Sequence, residues 1–242
     1  GPQAYTHLMD MRDLYQQAVQ DVISREGEKS PKLLPPLNGM LQAQYLISGY
    51  EWRESDQVFS EEQRLNEPLL RFKAYSAESY EQGSAILEAM GGIEQQIEQQ
   101  HGAQDSKILA RNLVMLGDWH LWNGRTKAAW QAYREAETEL ARAGDAQGQI
   151  QQLFGEPVAL PDIADLSPLP PTVDPKQADV LLAFGVSEEG RVRDLERMDE
   201  NAADDRQAAR LMRQLRRTTF RPRFEAGQPV ETEKLVKAFN IQ

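Results

Sequence analysis

The sequence predicts a multidomain chain in which an all-α helical domain is followed by a small α+β domain of β-β-α-β order. Three observations support this prediction. Apolar residues recur at helical spacing in most of the first 154 residues, whereas they alternate along residues 180–186. Prolines interrupt residues 155–177, where no regular helix can continue. We therefore expect a helical domain at 1–154, a Pro-rich linker at 155–177 and a second domain at 178–242.

The composition is that of an ordinary globular protein. The chain has 242 residues, enough for one or two domains. Of these residues, 40% are hydrophobic and 27% are charged. No apolar run approaches the roughly 18 residues that a transmembrane helix needs. Cysteine is absent, which excludes disulfides, thiolate catalysis and Cys-containing metal sites.

The net charge of −11 is unevenly distributed. Residues 1–175 carry 14 basic and 26 acidic side chains, whereas residues 176–242 carry 13 and 12. Phosphate backbones are bound through clustered Lys and Arg, so the acidic helical part argues against nucleic acid as a partner.

Glycine and proline predict where the first helices begin and end. Residues 3–25 form the first predicted helix. Pro35-Pro36 is expected to break the chain before a second helix at 40–50. Asn66-Glu67-Pro68 is a typical helix start. Gly83 is expected to divide the following segment into the two helices of an αα-hairpin.

The clearest helical unit begins at Asp105-Ser106, a typical N-cap, and Asn123-Gly124 separates its two helices. Two such helices fill one repeat of about 34 residues. The pattern resembles a tetratricopeptide repeat at Leu113, Leu116, Gly117, His120, Gly124, Ala129, Tyr133 and Ala136. The small residues of this set are expected to let the two helices approach closely. Since one repeat cannot bury its own apolar face, the preceding helices are expected to pack on it.

The Pro-rich segment at 155–177 leaves two alternatives open. It is either a free extended linker or a segment held on a domain surface by its apolar side chains. The candidates for such contacts are Val158, Leu160, Ile163 and Leu166.

The last part of the chain changes from helical to alternating periodicity. The predicted elements are strands at 180–186 and 192–198 around a tight turn at 188–190, a helix at 201–217, and extended segments at 218–224 and 230–241. The helix is expected to pack on one face of a small antiparallel sheet. Its predicted buried side chains are Ala208, Leu211, Met212 and Leu215.

Three segments of this part carry a family resemblance. They are FGVSEEGRV at 184–192, RRTTFRPRF at 216–224 and GQPV at 227–230. In order and spacing they resemble the C-terminal domain of the TonB family, over roughly the last quarter of the chain. A TonB energy transducer, however, has an N-terminal membrane anchor and a long Pro-rich spacer, where this chain has a helical part and a short linker.

The resemblance implies a periplasmic domain whose last strand pairs with an extended segment of an outer-membrane transporter. In such strand addition, main-chain hydrogen bonds give affinity and alternate side chains give selectivity. The implied binding edge runs from Val230 to Phe239, with two arginines beside it. Its candidate protein-binding residues are Arg221, Arg223, Val230, Thr232, Lys234 and Val236. The alternative is that this strand only closes the sheet.

No catalytic constellation is visible in the sequence. The three histidines, His7, His101 and His120, do not have a metal-binding spacing. No Gly-x-Ser-x-Gly elbow and no phosphate-binding Gly-rich loop occurs. We therefore predict that the chain is not an enzyme and binds neither a cofactor nor a metal.

Two clusters are candidates for protein contact. The tryptophans Trp119 and Trp122 are candidates for the lining of a peptide groove, the alternative being ordinary packing. A basic cluster is either a solvated face or a docking surface for an acidic partner, a phospholipid surface or the acidic helical domain. It comprises Arg206, Arg210, Arg213, Arg216, Arg217, Arg221 and Arg223.

These observations favour a periplasmic adapter or scaffold of a Gram-negative bacterium. A helical groove would hold one protein segment and the C-terminal sheet another. The expected partners are proteins of the cell envelope, such as an outer-membrane transporter or an inner-membrane complex. Two alternatives remain: a TonB-like energy transducer whose membrane anchor precedes these residues, and a non-catalytic subunit or enzyme of cell-wall metabolism.

Overall fold

The computed structural model describes residues 2–58, 68–101, 106–144, 146–163, 166–200 and 205–241. Helices dominate the first 154 residues and a small sheet region follows. The helices are α1 (Pro2–Glu26), α2 (Leu34–Val58), α3 (Pro68–His101), α4 (Ser106–Trp122), α5 (Thr126–Arg142), α6 (Ala146–Phe154) and α7 (Asp205–Arg217). The strands are β1 (Val158–Ala159), β2 (Val180–Val186), β3 (Val192–Arg197), β4 (Phe220–Arg221), β5 (Arg223–Glu225), β6 (Gln228–Val230) and β7 (Thr232–Phe239). This confirms the predicted mixture of a helical part and a small C-terminal sheet.

The beginning of α2 corrects the predicted break at Pro35-Pro36. A short 3₁₀ helix at Pro31–Leu33 leads directly into α2, and Ser30 caps it by accepting a hydrogen bond from the Lys32 amide at 3.3 Å. The two prolines lie in the first turn of α2. Amides of the first turn have no acceptor within the helix, so a proline at these positions removes no helical hydrogen bond.

The predicted αα-hairpin around Gly83 is wrong, because α3 continues through this glycine as a single helix. A Cβ atom at position 83 would lie 2.2 Å from the Trp119 ring. Gly83 therefore serves the close approach of α3 to α4. The predicted start at Asn66-Glu67 lies outside the described residues.

The predicted pair α4 and α5 is confirmed, with Gly124 at φ +72° in the connection between them. A Cβ atom at Gly117 would lie 2.4 Å from the Tyr133 ring, and Ala129 and Ala136 are fully buried. The small residues thus allow close contact of the two helices, as expected. Asp105 of the predicted N-cap lies outside the described residues.

The Pro-rich segment is held on the folded chain in its described parts. Strand β1 pairs antiparallel with β4, joining Val158 to Arg221, and a further bridge joins Thr172 to Phe239. Leu160 is fully buried. Of the two alternatives left open by the sequence, the packed one is therefore correct.

The C-terminal sheet has the order β3-β2-β7, with both neighbours antiparallel to β2. Gly190 at φ +81° makes the β2–β3 turn, as predicted. Helix α7 covers one face with Ala208, Leu211 and Leu215. The predicted helix residues 201–204 lie outside the described ranges. The predicted last extended segment is divided, since Val230 belongs to β6 and pairs with β5.

Three apolar cores connect these elements. One lies among α1 to α4 and one between α7 and the sheet. The third joins residues of α4, α5 and α6 to Leu160 of the Pro-rich segment and to Phe224 of β5. The helical part and the C-terminal part therefore share a buried interior.

Candidate strand-pairing edge

Strand β7 lies at one edge of the three-stranded sheet. It runs antiparallel to β2 from the pair Val180–Phe239 to the pair Phe184–Leu235, and β3 occupies the other side of β2. The outer side of β7 is consequently the side at which a further strand can add.

Only one end of this outer side is covered by described residues. The Val173 amide donates to the Ala238 carbonyl at 2.9 Å, which shows that the peptide groups of Ala238 point away from β2. In an antiparallel strand this direction alternates with a period of two, so the peptide groups of Val236 point outward as well. Beyond Leu235 the pairing shifts register, since Val186 is opposite Thr232, so the alternation is not continued to Lys234. No described strand pairs with this stretch. Residues 232–237 therefore present an open edge.

The side chains of this stretch divide between the two faces of the sheet. Leu235 packs against the core beneath α7. Val236 is 53% exposed, although it is apolar, and Lys234 is exposed with its Nζ 3.7 Å from a carboxylate oxygen of Glu196. Val236 and Lys234 are the predicted binding residues that a strand added to this edge would contact.

The other candidates on β5 to β7 occupy different positions. Val230 is half-buried opposite Arg223 in the β5–β6 pair, away from the open edge. The Arg223 guanidinium pairs with the Glu225 carboxylate and donates to the Glu231 carbonyl. Thr232 is half-buried at the first position of β7, and its Oγ1 has no hydrogen-bond partner in the described part of the chain.

Arg221 is not a surface binding residue, which corrects its predicted role. Its side chain is 1% exposed. The guanidinium donates to Asp118 Oδ2 at 2.7 Å, to Asp162 Oδ2 at 3.1 Å and to the Leu153 carbonyl at 3.0 Å. These partners are 103, 59 and 68 residues away in the sequence. Arg221 therefore holds β4 against α4, α6 and the Pro-rich segment.

Asp118 is the residue on the helical side of this network that the sequence did not single out. Its Oδ1 accepts a hydrogen bond from the Tyr133 hydroxyl at 2.7 Å. Burial raises the pKa of Asp118 to about 6, against the opposing effect of Arg221 and Tyr133. Burial disfavours the charged guanidinium and acts to lower the pKa of Arg221. The neighbouring Asp118, Tyr133 and Asp162 outweigh burial, so the pKa of Arg221 is raised. A lone carboxylate in the otherwise apolar part of α4 was the sequence signal that could have indicated a buried partner.

Of the two alternatives for the tryptophans, ordinary packing describes their contacts in the structure. Trp119 is fully buried, donates its Nε1–H to the Tyr80 carbonyl at 2.9 Å and contacts the Tyr45 ring at a centroid distance of 4.8 Å. Trp122 is half-buried and donates to Ser48 Oγ at 3.3 Å. Both side chains pack the interior between α2, α3 and α4.

The described ranges contain no group of three or more His, Asp or Glu residues arranged to hold a metal ion. His120 Nδ1 lies 2.8 Å from the Tyr80 hydroxyl, and burial lowers its pKa. Among these same residues, no helix combines the length and apolar character needed to cross a bilayer.

Comparison with known proteins gives no relative for this chain. No family model, curated protein or solved structure matches it. The resemblances to a tetratricopeptide repeat and to the TonB C-terminal domain therefore stay predictions.

Proposed function

We propose that this protein is a non-enzymatic adapter that binds an extended segment of a partner protein along the outer edge of β7. The observation that carries the proposal is the open edge at residues 232–237, where outward peptide groups lie next to the exposed apolar side chain of Val236. An unpaired edge of this kind is the template for strand addition.

The surroundings of the edge support selective binding. Lys234 and Val236 alternate with the inward-facing Leu235, so an added strand meets one cationic and one apolar side chain. The buried network of Arg221 fixes β4 and the Pro-rich segment, and Val173 of that segment closes one end of the edge. A rigid edge with a defined end favours one register of the added strand.

The location and partner class belong to the same proposal. The TonB-like segments in residues 178–242 favour the periplasm and an envelope protein as partner, with an outer-membrane transporter or an inner-membrane complex as the expected classes. The open edge and the packed helical part suit an adapter that joins two envelope components.

Proline at position 236 provides a specific test of strand pairing. The Val236 amide points away from β2, so Val236→Pro removes a hydrogen-bond donor from the open edge and leaves the β2–β7 pairing intact. Val236→Ala is the matched control, because it keeps the amide and shortens the side chain. Photo-crosslinking from residue 234 in a periplasmic fraction, followed by mass spectrometry, identifies the bound partner for purification.

We expect Val236→Pro to weaken binding of the purified partner at least about tenfold, and Val236→Ala to weaken it by less than about threefold. Hydrogen exchange of the β7 amides should slow on complex formation. Equal affinities of the proline and alanine variants, with no change in β7 exchange, would show that the strand only closes the sheet.

A further inference from the structure

Helices α3, α4 and α5 enclose a groove of about 440 Å³. It is remote in the sequence from β7 and contains neither Trp119 nor Trp122. Its apolar lining consists of four leucines, Leu87, Leu109, Leu113 and Leu116. The groove is therefore large enough, and apolar enough, to accept side chains of another molecule.

Two residues that line this groove each have a buried polar atom with no hydrogen-bond partner among the described residues. Asn112 is 3% exposed and its Nδ2 donates to no acceptor. Glu139 accepts from Arg142 with Oε1 at 2.9 Å, whereas its Oε2 has no partner. Buried polar groups are nearly always hydrogen-bonded in native proteins, and each unpaired group is costly. A donor and an anionic acceptor are thus available in the same groove.

The charged side chains that line the groove are all acidic. Glu88, Glu135 and Glu139 contribute to its lining, and no lysine, arginine or histidine does among the lining residues that the structure describes. An anionic ligand would be repelled from such a surface, whereas a cationic group would be attracted and would supply the donor that Glu139 Oε2 lacks.

We propose that this groove binds a peptide segment that carries a lysine or arginine beside leucine-sized apolar side chains. The cationic group donates to Glu139 Oε2, and a main-chain carbonyl of the segment accepts from Asn112 Nδ2. The apolar side chains contact the four leucines. This site is independent of β7, so the adapter would have a second binding surface with its own selectivity.

Fluorescence anisotropy with two labelled nine-residue peptides tests the proposal. One peptide combines Leu, Lys and Ala, and the other has Glu at each Lys position. We expect the first peptide to bind and the second to show no binding. Glu139→Gln should weaken binding of the Lys peptide about tenfold, because it removes a charge-assisted hydrogen bond.

Three variants serve as controls. Glu81→Gln changes an exposed glutamate of α3 outside the groove and should leave the affinity unchanged. Arg142→Gln breaks the ion pair with Glu139 while it keeps the carboxylate, so binding should persist. Val236→Pro should also bind normally, which separates this site from the β7 proposal. Equal binding of the two peptides, or equal effects of Glu139→Gln and Glu81→Gln, would overturn the inference.

Discussion

At the residue scale, the role of Arg221 in the structure differs from the role that its sequence context predicts. In the sequence it belongs to a basic cluster near a predicted binding edge. In the structure it is fully buried and bonded to Asp118, Asp162 and the Leu153 carbonyl. A buried ion pair contributes little relative to apolar packing, but the loss of one partner leaves a buried charge uncompensated.

We expect Arg221→Met to lower the free energy of unfolding by about 3 to 5 kcal/mol, because Asp118 remains buried without its cation. The double variant Arg221→Met, Asp118→Leu should lower the free energy of unfolding by less than Arg221→Met alone, since Asp118 no longer leaves an unpaired buried charge. Urea denaturation followed by tryptophan fluorescence measures both values.

Arg223→Met is the matched control. Its side chain is 30% exposed, and its carboxylate partner is 62% exposed. The expected loss is below about 1 kcal/mol, as for other solvent-exposed ion pairs. Equal losses for the two arginine variants would contradict the structural role of Arg221.

At the element scale, α3 depends on a glycine that looks like a helix break in the sequence. Gly83 lies within the helix and faces the fully buried Trp119 ring. Glycine costs helix stability relative to alanine, by about 1 kcal/mol. Here its lack of a side chain is what allows α3 and α4 to pack in contact.

Gly83→Ala is therefore expected to destabilise the protein by about 1 to 3 kcal/mol, despite the better helix propensity of alanine. Gly49→Ala in α2 is the control, because a Cβ atom there meets no atom within 4 Å. The control should be neutral or stabilising by up to about 1 kcal/mol. Thermal unfolding distinguishes the two; a stabilising effect at both positions would argue against the close contact with Trp119.

At the scale of the whole molecule, the helical and C-terminal parts are joined by an aromatic cluster. Phe224 of β5 contacts the rings of Trp130, Tyr133 and Phe154 at centroid distances of 5.6, 5.3 and 5.4 Å. These rings come from α5, α6 and β5, so each part completes the interior of the other. Removal of either part would expose apolar surface of the remaining one.

Phe224→Ala should lower the free energy of unfolding by about 3 to 5 kcal/mol, because it leaves a cavity in this shared core. Since the core is shared, hydrogen exchange should accelerate both in α5 and in β2. Leu14→Ala on the exposed side of α1 is the control and should change neither. Faster exchange confined to the C-terminal strands would mean that the two parts unfold separately.

The sequence by itself determined the elements whose signals are local. The helical period of α4 and α5, the left-handed glycines at positions 124 and 190, and the alternation along β2 each depend on neighbouring residues. For this reason most helices and strands were predicted in the right order, whereas α6 and β1 were not predicted, and the predictions were wrong at Pro35-Pro36, at Gly83 and in the two last extended segments, each of which is divided.

Only the tertiary structure decided which residues meet across long stretches of chain. The burial of Arg221 depends on partners up to 103 residues away, and the burial of Trp119 depends on Gly83 of another helix. The open edge of β7 likewise depends on the position of β2 and of the Pro-rich segment. Local periodicity determines whether a segment forms a helix or a strand. The exposure of its side chains depends instead on the elements that pack beside it, and a binding site needs exposed residues.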